Sequence, residues 1–158
     1  MNEAEIKRIV QNTLASLKTD KAKMTLPLAE RLCDAVLSEA QRMGVRAVVC
    51  ISDAGGHPRL VKSMDDAYIA SYDIAVNKAF TVVALKMSTS ALKPLAQPNA
   101  PLYGIQHTNG GRIVIFGGGD TLTSSDGVII GGIGVSGGSE EQDTALSAFG
   151  KKYFEDIM

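Results

Sequence analysis

Apolar residues recur at helical spacing near the start of the chain, where Ile6, Ile9, Val10, Leu14 and Leu17 share one stripe. That spacing predicts a helix over residues 3–18. Residues 19–25 form a polar break. Pro27 suits the first turn of a second helix, with Leu28, Leu32, Ala35, Val36 and Ala40 on one side and Gly44 as its stop. The period then changes. Residues 47–51 are a short apolar run that reads as a buried strand. Residues 53–58 carry turn chemistry, and residues 59–62 read as the second strand of a hairpin. Asp65 or Asp66 is placed to cap a third helix over 67–85. Its apolar residues, Tyr68, Ile69, Tyr72, Phe80 and Val82 among them, go nearly all the way round. A helix of that kind is expected to be buried on all sides, partly by another subunit. Residues 88–101 hold three prolines and read as an irregular connection. Strands are predicted over 112–116, 121–123 and 128–135. A last helix follows Ser139, with Gln142 placed to complete a capping box. Short strands joined by tight turns predict an α+β domain with an antiparallel sheet, one domain spanning residues 1–158.

Composition narrows the partners. The 158 residues are 45% apolar and 21% charged, enough for one domain with a real core. A net charge of −1 argues against nucleic acid or an anionic membrane as the main partner. The polar, acidic N-terminus is unlike a secretory signal, and no apolar run is long enough to cross a bilayer. The expected location is the cytoplasm. Cys33 and Cys50 sit in apolar patterns and read as buried free thiols. Without a Cys-x-x-Cys-His, covalent attachment of a c-type haem is excluded.

Of 16 glycines, 12 fall between positions 104 and 138. Residues 132–137 match G-x-G-x-x-G, yet too little chain follows for a second parallel strand, and Glu140, Glu141 and Asp143 would repel a pyrophosphate. A nicotinamide or flavin dinucleotide is therefore not expected. Gly131, Gly132 and Gly134 strip a strand of side chains. That allows close approach of a helix or another chain, or leaves room for a ligand. His57 at the hairpin tip and His107 before the third strand are candidate metal or haem ligands, or solvated loop residues. Lys78 is a cation in an apolar helix and needs a partner or a route to solvent; Asp73 is poorly spaced to serve. Arg112 is a candidate partner for a propionate or phosphate. The chain has no His-Glu-x-x-His, no phosphate loop and no supported Ser-His-Asp set, so no stand-alone metal site is expected.

The ordered motifs at 53–57, 64–67, Ser71, 77–79, 112–119 and 131–143 carry a resemblance. Over about residues 24–155 the chain resembles the family of GlcG, HbpS and the PduO C-terminal domain. It looks most like the diol- and glycerol-utilisation branch. The resemblance implies a profilin-like fold, a five-stranded antiparallel sheet between helices in α/β/α layers. It implies a homo-oligomer, commonly an octamer, which suits the 67–85 helix. Several relatives bind haem, so non-covalent haem b or a related tetrapyrrole is the candidate cofactor. His57, His107, Lys78, Arg112, Gly132 and Gly134 are the candidate contacts, chosen on chemistry rather than transferred from relatives. The adenosyltransferase activity of full-length PduO belongs to its N-terminal domain and is not carried over. The leading expectation is a haem-binding accessory protein beside cobalamin-dependent diol or glycerol breakdown, in the cytoplasm or a microcompartment lumen. The rivals are a non-catalytic oligomeric scaffold or small-metabolite sensor, and an enzyme acting on a small hydroxy acid, a diol or haem.

Overall fold

The computed structural model describes residues 2–19 and 22–158. Helices α1 (Glu3–Thr19) and α2 (Leu26–Arg42) lead into the hairpin of β1 (Val48–Asp53) and β2 (Pro58–Ser63). Helices α3 (Ile69–Leu85) and α4 (Thr89–Leu95), two short 3-10 turns, strands β3 (Gly119–Thr123) and β4 (Ile129–Ser136) and helix α5 (Glu140–Ile157) follow. The four strands form one antiparallel sheet in the order β2-β1-β4-β3.

Alternation along the two central strands sorts the layers. Val49 and Ile51 of β1, with Ile133 and Val135 of β4, pack with Leu32 and Val36 of α2 and Leu146 and Phe154 of α5. The intervening Val48 and Cys50 face Ala75 and Ala79 of α3. The sheet thus lies between α3 on one face and α2 with α5 on the other. Local chemistry fixes the helix ends. Thr25 Oγ1 accepts from Leu28 N at 3.4 Å with Pro27 just inside α2, and Gly44 takes φ +72 beyond its end. Ser139 and Gln142 form a reciprocal capping box at α5, a device worth about 1 kcal/mol. Cys33 and Cys50 are buried free thiols, both pushed up to about 12 by burial.

Three expectations change. Residues 112–116 are not a strand, so the sheet has four strands rather than five. Ile113 and Val114 are buried there, but Val114 N donates to the Thr81 side chain at 3.0 Å, which replaces a ladder partner. Asp65 and Asp66 do not cap α3. Asp66 turns the chain at φ +62, and the helix starts after Tyr68 without a side-chain cap. The stretch after Ser88 is not wholly irregular, because the Ser88 hydroxyl caps α4 through Ala91 N at 3.2 Å. Helix α3, expected to be buried partly by another subunit, is open on one side in the single chain. Its small residues face the sheet, while Tyr68, Ile69 and Tyr72 are 73, 97 and 50% exposed. The stripe on α1 is likewise open at Ile6, Ile9 and Val10; the side chains of Leu14 and Leu17 and part of the 19–25 break lie outside the described residues.

One half-buried carboxyl yields a pH prediction. Asp120 on β3 accepts from Ser147 Oγ of α5 at 2.7 Å. Burial raises its pKa above the usual 3.8, and the Ser147 bond and Lys151 only partly offset that. The folded chain therefore holds this proton more firmly than the unfolded chain. The stabilisation is full below 3.8 and is lost as pH rises through the raised folded value. Asp120→Asn stays neutral and can still accept from Ser147. It is expected to raise the urea midpoint at pH 7 and to lose that advantage at pH 4. Equal shifts at both pH values would contradict this.

Candidate functional site

The hairpin turn is built around Asp53. Its Oδ1 accepts from Gly55 N at 2.9 Å and His57 N at 3.1 Å, an Asx-type turn that holds the loop in shape. His57 Nδ1 lies 3.4 Å from the same oxygen. Gly55 makes this possible, since a Cβ there would stand 2.8 Å from Nδ1. Burial alone would raise the Asp53 carboxyl, but the two N–H donors and the imidazole outweigh it and hold it below its usual range. The carboxylate thereby stays charged beside the Nδ1 edge of the ring. The imidazole itself is 81% exposed.

Beside this turn is an open cleft of about 310 Å³ whose walls include His57, Ala54, Arg59, Met24 and Ile130. Met24 and Ile130 are 2 and 3% exposed and make its floor apolar. Arg59 Nε donates to Met24 O at 3.2 Å and ties β2 to the start of α2. On the α3 side the turn rests on Phe80, which sits where a Cβ of Gly56 would be, 2.9 Å away. The Arg112 guanidinium stacks on the same ring, 3.7 Å from its centroid. The structure therefore brings the His57 turn and Arg112 together around one aromatic side chain. His107 is exposed in the first 3-10 turn and is not among the residues lining this cleft.

Lys78 lies elsewhere. Its side chain is 0% exposed, and Nζ donates to Val135 O at 2.7 Å and to Asp143 Oδ2 at 3.0 Å. The Phe116 ring covers it, 5.0 Å from Nζ to centroid. Asp143 Oδ1 accepts from Gly138 N at 2.9 Å, so both oxygens are engaged. Desolvation pulls Lys78 below its ordinary value, with Asp143 pulling the other way. Asp143 is the residue missed from sequence. The signal was the demand of Lys78 for a partner, but 65 positions separate the two.

Gly132 and Gly134 do not line an open surface. A Cβ on Gly132 would stand 2.6 Å from Ala79 O, and one on Gly134 would stand 2.0 Å from Ala75 O, so α3 fills the space. Nor are the amides of residues 117–119 all free: Gly117 N donates to Glu140 Oε1 and Gly119 N to Thr89 Oγ1, both at 2.9 Å. Strand β4 has antiparallel neighbours on both sides, so its G-x-G-x-x-G run lies outside the βαβ setting of dinucleotide sites. Among the described residues no cluster of three or more His, Cys, Asp or Glu could hold a metal ion. No helix among them is long and apolar enough to cross a membrane.

Residues 24–150 match the family model described as haem degrading protein HbpS-like. The chain is 41% identical over 136 residues to a 15.0 kDa uncharacterized protein of the dhaT-dhaS intergenic region of Citrobacter freundii, covering 86% of this chain and 95% of that one. It is 40% identical over 148 residues to the corrinoid adenosyltransferase PduO of Salmonella typhimurium, covering 90% of this chain but only 44% of that longer protein. The fold superposes on a PduOC:Heme complex with a TM-score of 0.78 at 37% identity, over 83% of this chain and 94% of that one.

Proposed function

This chain belongs to the HbpS-like haem-degrading protein family, and on that premise we propose that it is a haem-binding, or related tetrapyrrole-binding, accessory protein. The ligand is held without a covalent bond, beside cobalamin-dependent diol or glycerol breakdown. The observation that carries this reading is the His57 turn. An imidazole with its Nδ1 edge 3.4 Å from a carboxylate leaves its Nε2 edge to meet a metal, and a carboxylate at that second nitrogen is the usual companion of a histidine ligand. The apolar floor of Met24 and Ile130 suits the face of a macrocycle. Arg59 on the cleft wall is a guanidinium able to pair with a propionate, and Arg112, stacked on Phe80 outside the cleft lining, is a second candidate. Bound haem would supply a redox-active iron. The protein's part is to present the imidazole, shield one face from water and neutralise the carboxylates.

The haem complex of a relative supports the choice of ligand. The relation to PduO supports the cobalamin connection; the transferase activity in that protein's name is not part of the proposal. Binding rather than turnover is the reading. Copies associate through the outer side of α3, where Tyr68, Ile69 and Tyr72 are exposed, up to the octamer implied by the resemblance. The three layers are a profilin-like variant with one strand fewer than expected. The location is the cytoplasm or a microcompartment lumen.

Hemin titration tests this. The wild type is expected to give a Soret shift saturating at one haem per chain. His57→Ala should weaken binding by about 1.4 kcal/mol or more, tenfold in Kd, while His107→Ala binds like wild type. Equal affinity of His57→Ala and wild type would overturn His57 as the ligand.

A further inference from the structure

The Lys78 cluster plays no part in the haem reading, yet its Asp143 and Phe116 border a cleft of their own, with Lys78 buried just behind them. That cleft is about 270 Å³, and its walls include Phe116, Ser71, Ser136, Glu140 and Asp143. We propose that Lys78 captures a small, uncharged aldehyde or ketone as an imine behind Phe116. Three observations carry this. The ammonium spends two of its donors on Val135 O and Asp143, and the Phe116 ring lies over the remainder rather than a third acceptor. Phe116 is itself 38% exposed, at the mouth of the cleft and followed by Gly117 and Gly118. It therefore separates a buried amine from solvent by one side chain. Gly118 allows no substituent, since a Cβ would stand 2.5 Å from Nζ, so the absence of a side chain there is what admits the amine.

The surroundings choose the substrate class. Lys78 is matched by Asp143 and Lys93 by Glu140, so neither ammonium has spare charge to hold a carboxylate or phosphate, whereas a neutral carbonyl compound needs none. Ser136 Oγ donates to Ser71 Oγ at 3.0 Å, which places hydroxyls on the wall to receive a polarised oxygen. Desolvation favours the neutral amine, the nucleophilic form. In the step, the Nζ lone pair attacks the carbonyl carbon and the carbonyl π pair moves to oxygen. Asp143 takes the first of the ammonium's three protons to free that lone pair; two protons in all pass through it to the oxygen, which leaves as water, the C=N bond forms, and the third proton stays on nitrogen. Nothing is oxidised or reduced. A protonated imine would remain paired with Asp143 at the place the ammonium now holds.

The test is reductive trapping at pH 7 with acetaldehyde and cyanoborohydride, followed by peptide mass mapping of the full chain. Burial lowers the Lys78 pKa and so raises its neutral fraction, whereas ion pairs raise the pKa of exposed Lys62 and Lys152, so Lys78 is expected to be ethylated several-fold faster than either. Phe116→Ala should accelerate it further and Asp143→Asn should slow it. Lys78→Arg should remove that adduct alone, with circular dichroism unchanged. Labelling of wild-type Lys78 no faster than that of the exposed lysines would overturn the proposal, whatever the variants do. The result is independent of hemin binding, because His57 takes no part in it.

Discussion

Asp143→Ala is expected to lower stability by about 3–5 kcal/mol, the cost of leaving a buried charge without its partner. Lys78 has no exposure through which to recover water. Val135 O satisfies one donor but supplies no countercharge. Removing the carboxylate also strips Gly138 N of its acceptor at the start of α5. Asp143→Asn retains an oxygen for Gly138 and should fall between wild type and Asp143→Ala. The double variant Lys78→Met with Asp143→Ala removes the stranded charge, so it should be more stable than Asp143→Ala alone. Depression of the Lys78 pKa adds a pH signature. Its folded value lies below the unfolded value near 10.5, so the burden of burying the ammonium is full at low pH and is relieved as pH climbs through the folded value. Urea unfolding of the three variants checks the order. An Asp143→Ala midpoint equal to that of wild type would mean that Lys78 does not depend on this pair.

Gly134→Ala is expected to cost about 3 kcal/mol, at the upper end for overpacking a well-filled core. The added carbon would stand 2.0 Å from Ala75 O and 2.6 Å from Ala79 N. Both are backbone atoms of α3, so no side chain can swing aside and the helix itself must lift from the sheet. Lifting it would disturb Lys78, whose Cβ is 3.0 Å from the same point. Gly110→Ala is the control. At φ +67 it meets nothing within 4 Å, so only backbone strain of about 1–2 kcal/mol applies. Thermal melts of the two compare crowding with strain directly. If Gly134→Ala melts no lower than Gly110→Ala, α3 is not seated on β4 as described.

Local signals carried most of the fold. The hairpin at Asp53, the Pro27 start of α2 and the Ser139–Gln142 box were all legible because each involves residues a few positions apart. What failed depended on distant partners. Ile113 and Val114 have strand-like side chains, but Thr81, 33 positions before Val114, takes the amide that a ladder would need. The glycine-rich β4 invited a ligand reading. Whether such a surface meets a ligand or a helix is decided by the small face of α3, Ser71, Ala75 and Ala79, which no pattern within β4 reveals. The candidate site divides in the same way. His57 was visible as a hairpin-tip histidine, and its Asp53 partner lies only four residues away. The stacking of Arg112 on Phe80 and the pairing of Lys78 with Asp143 are tertiary facts.

The central claim is that the His57 turn presents an imidazole to a tetrapyrrole iron. A crystal structure of the chain grown with hemin, read through the anomalous signal of iron, tests it most directly. An iron peak is expected at bonding distance from His57 Nε2, with the macrocycle against Met24 and Ile130. An iron peak on His107, or one remote from the hairpin turn, would contradict it.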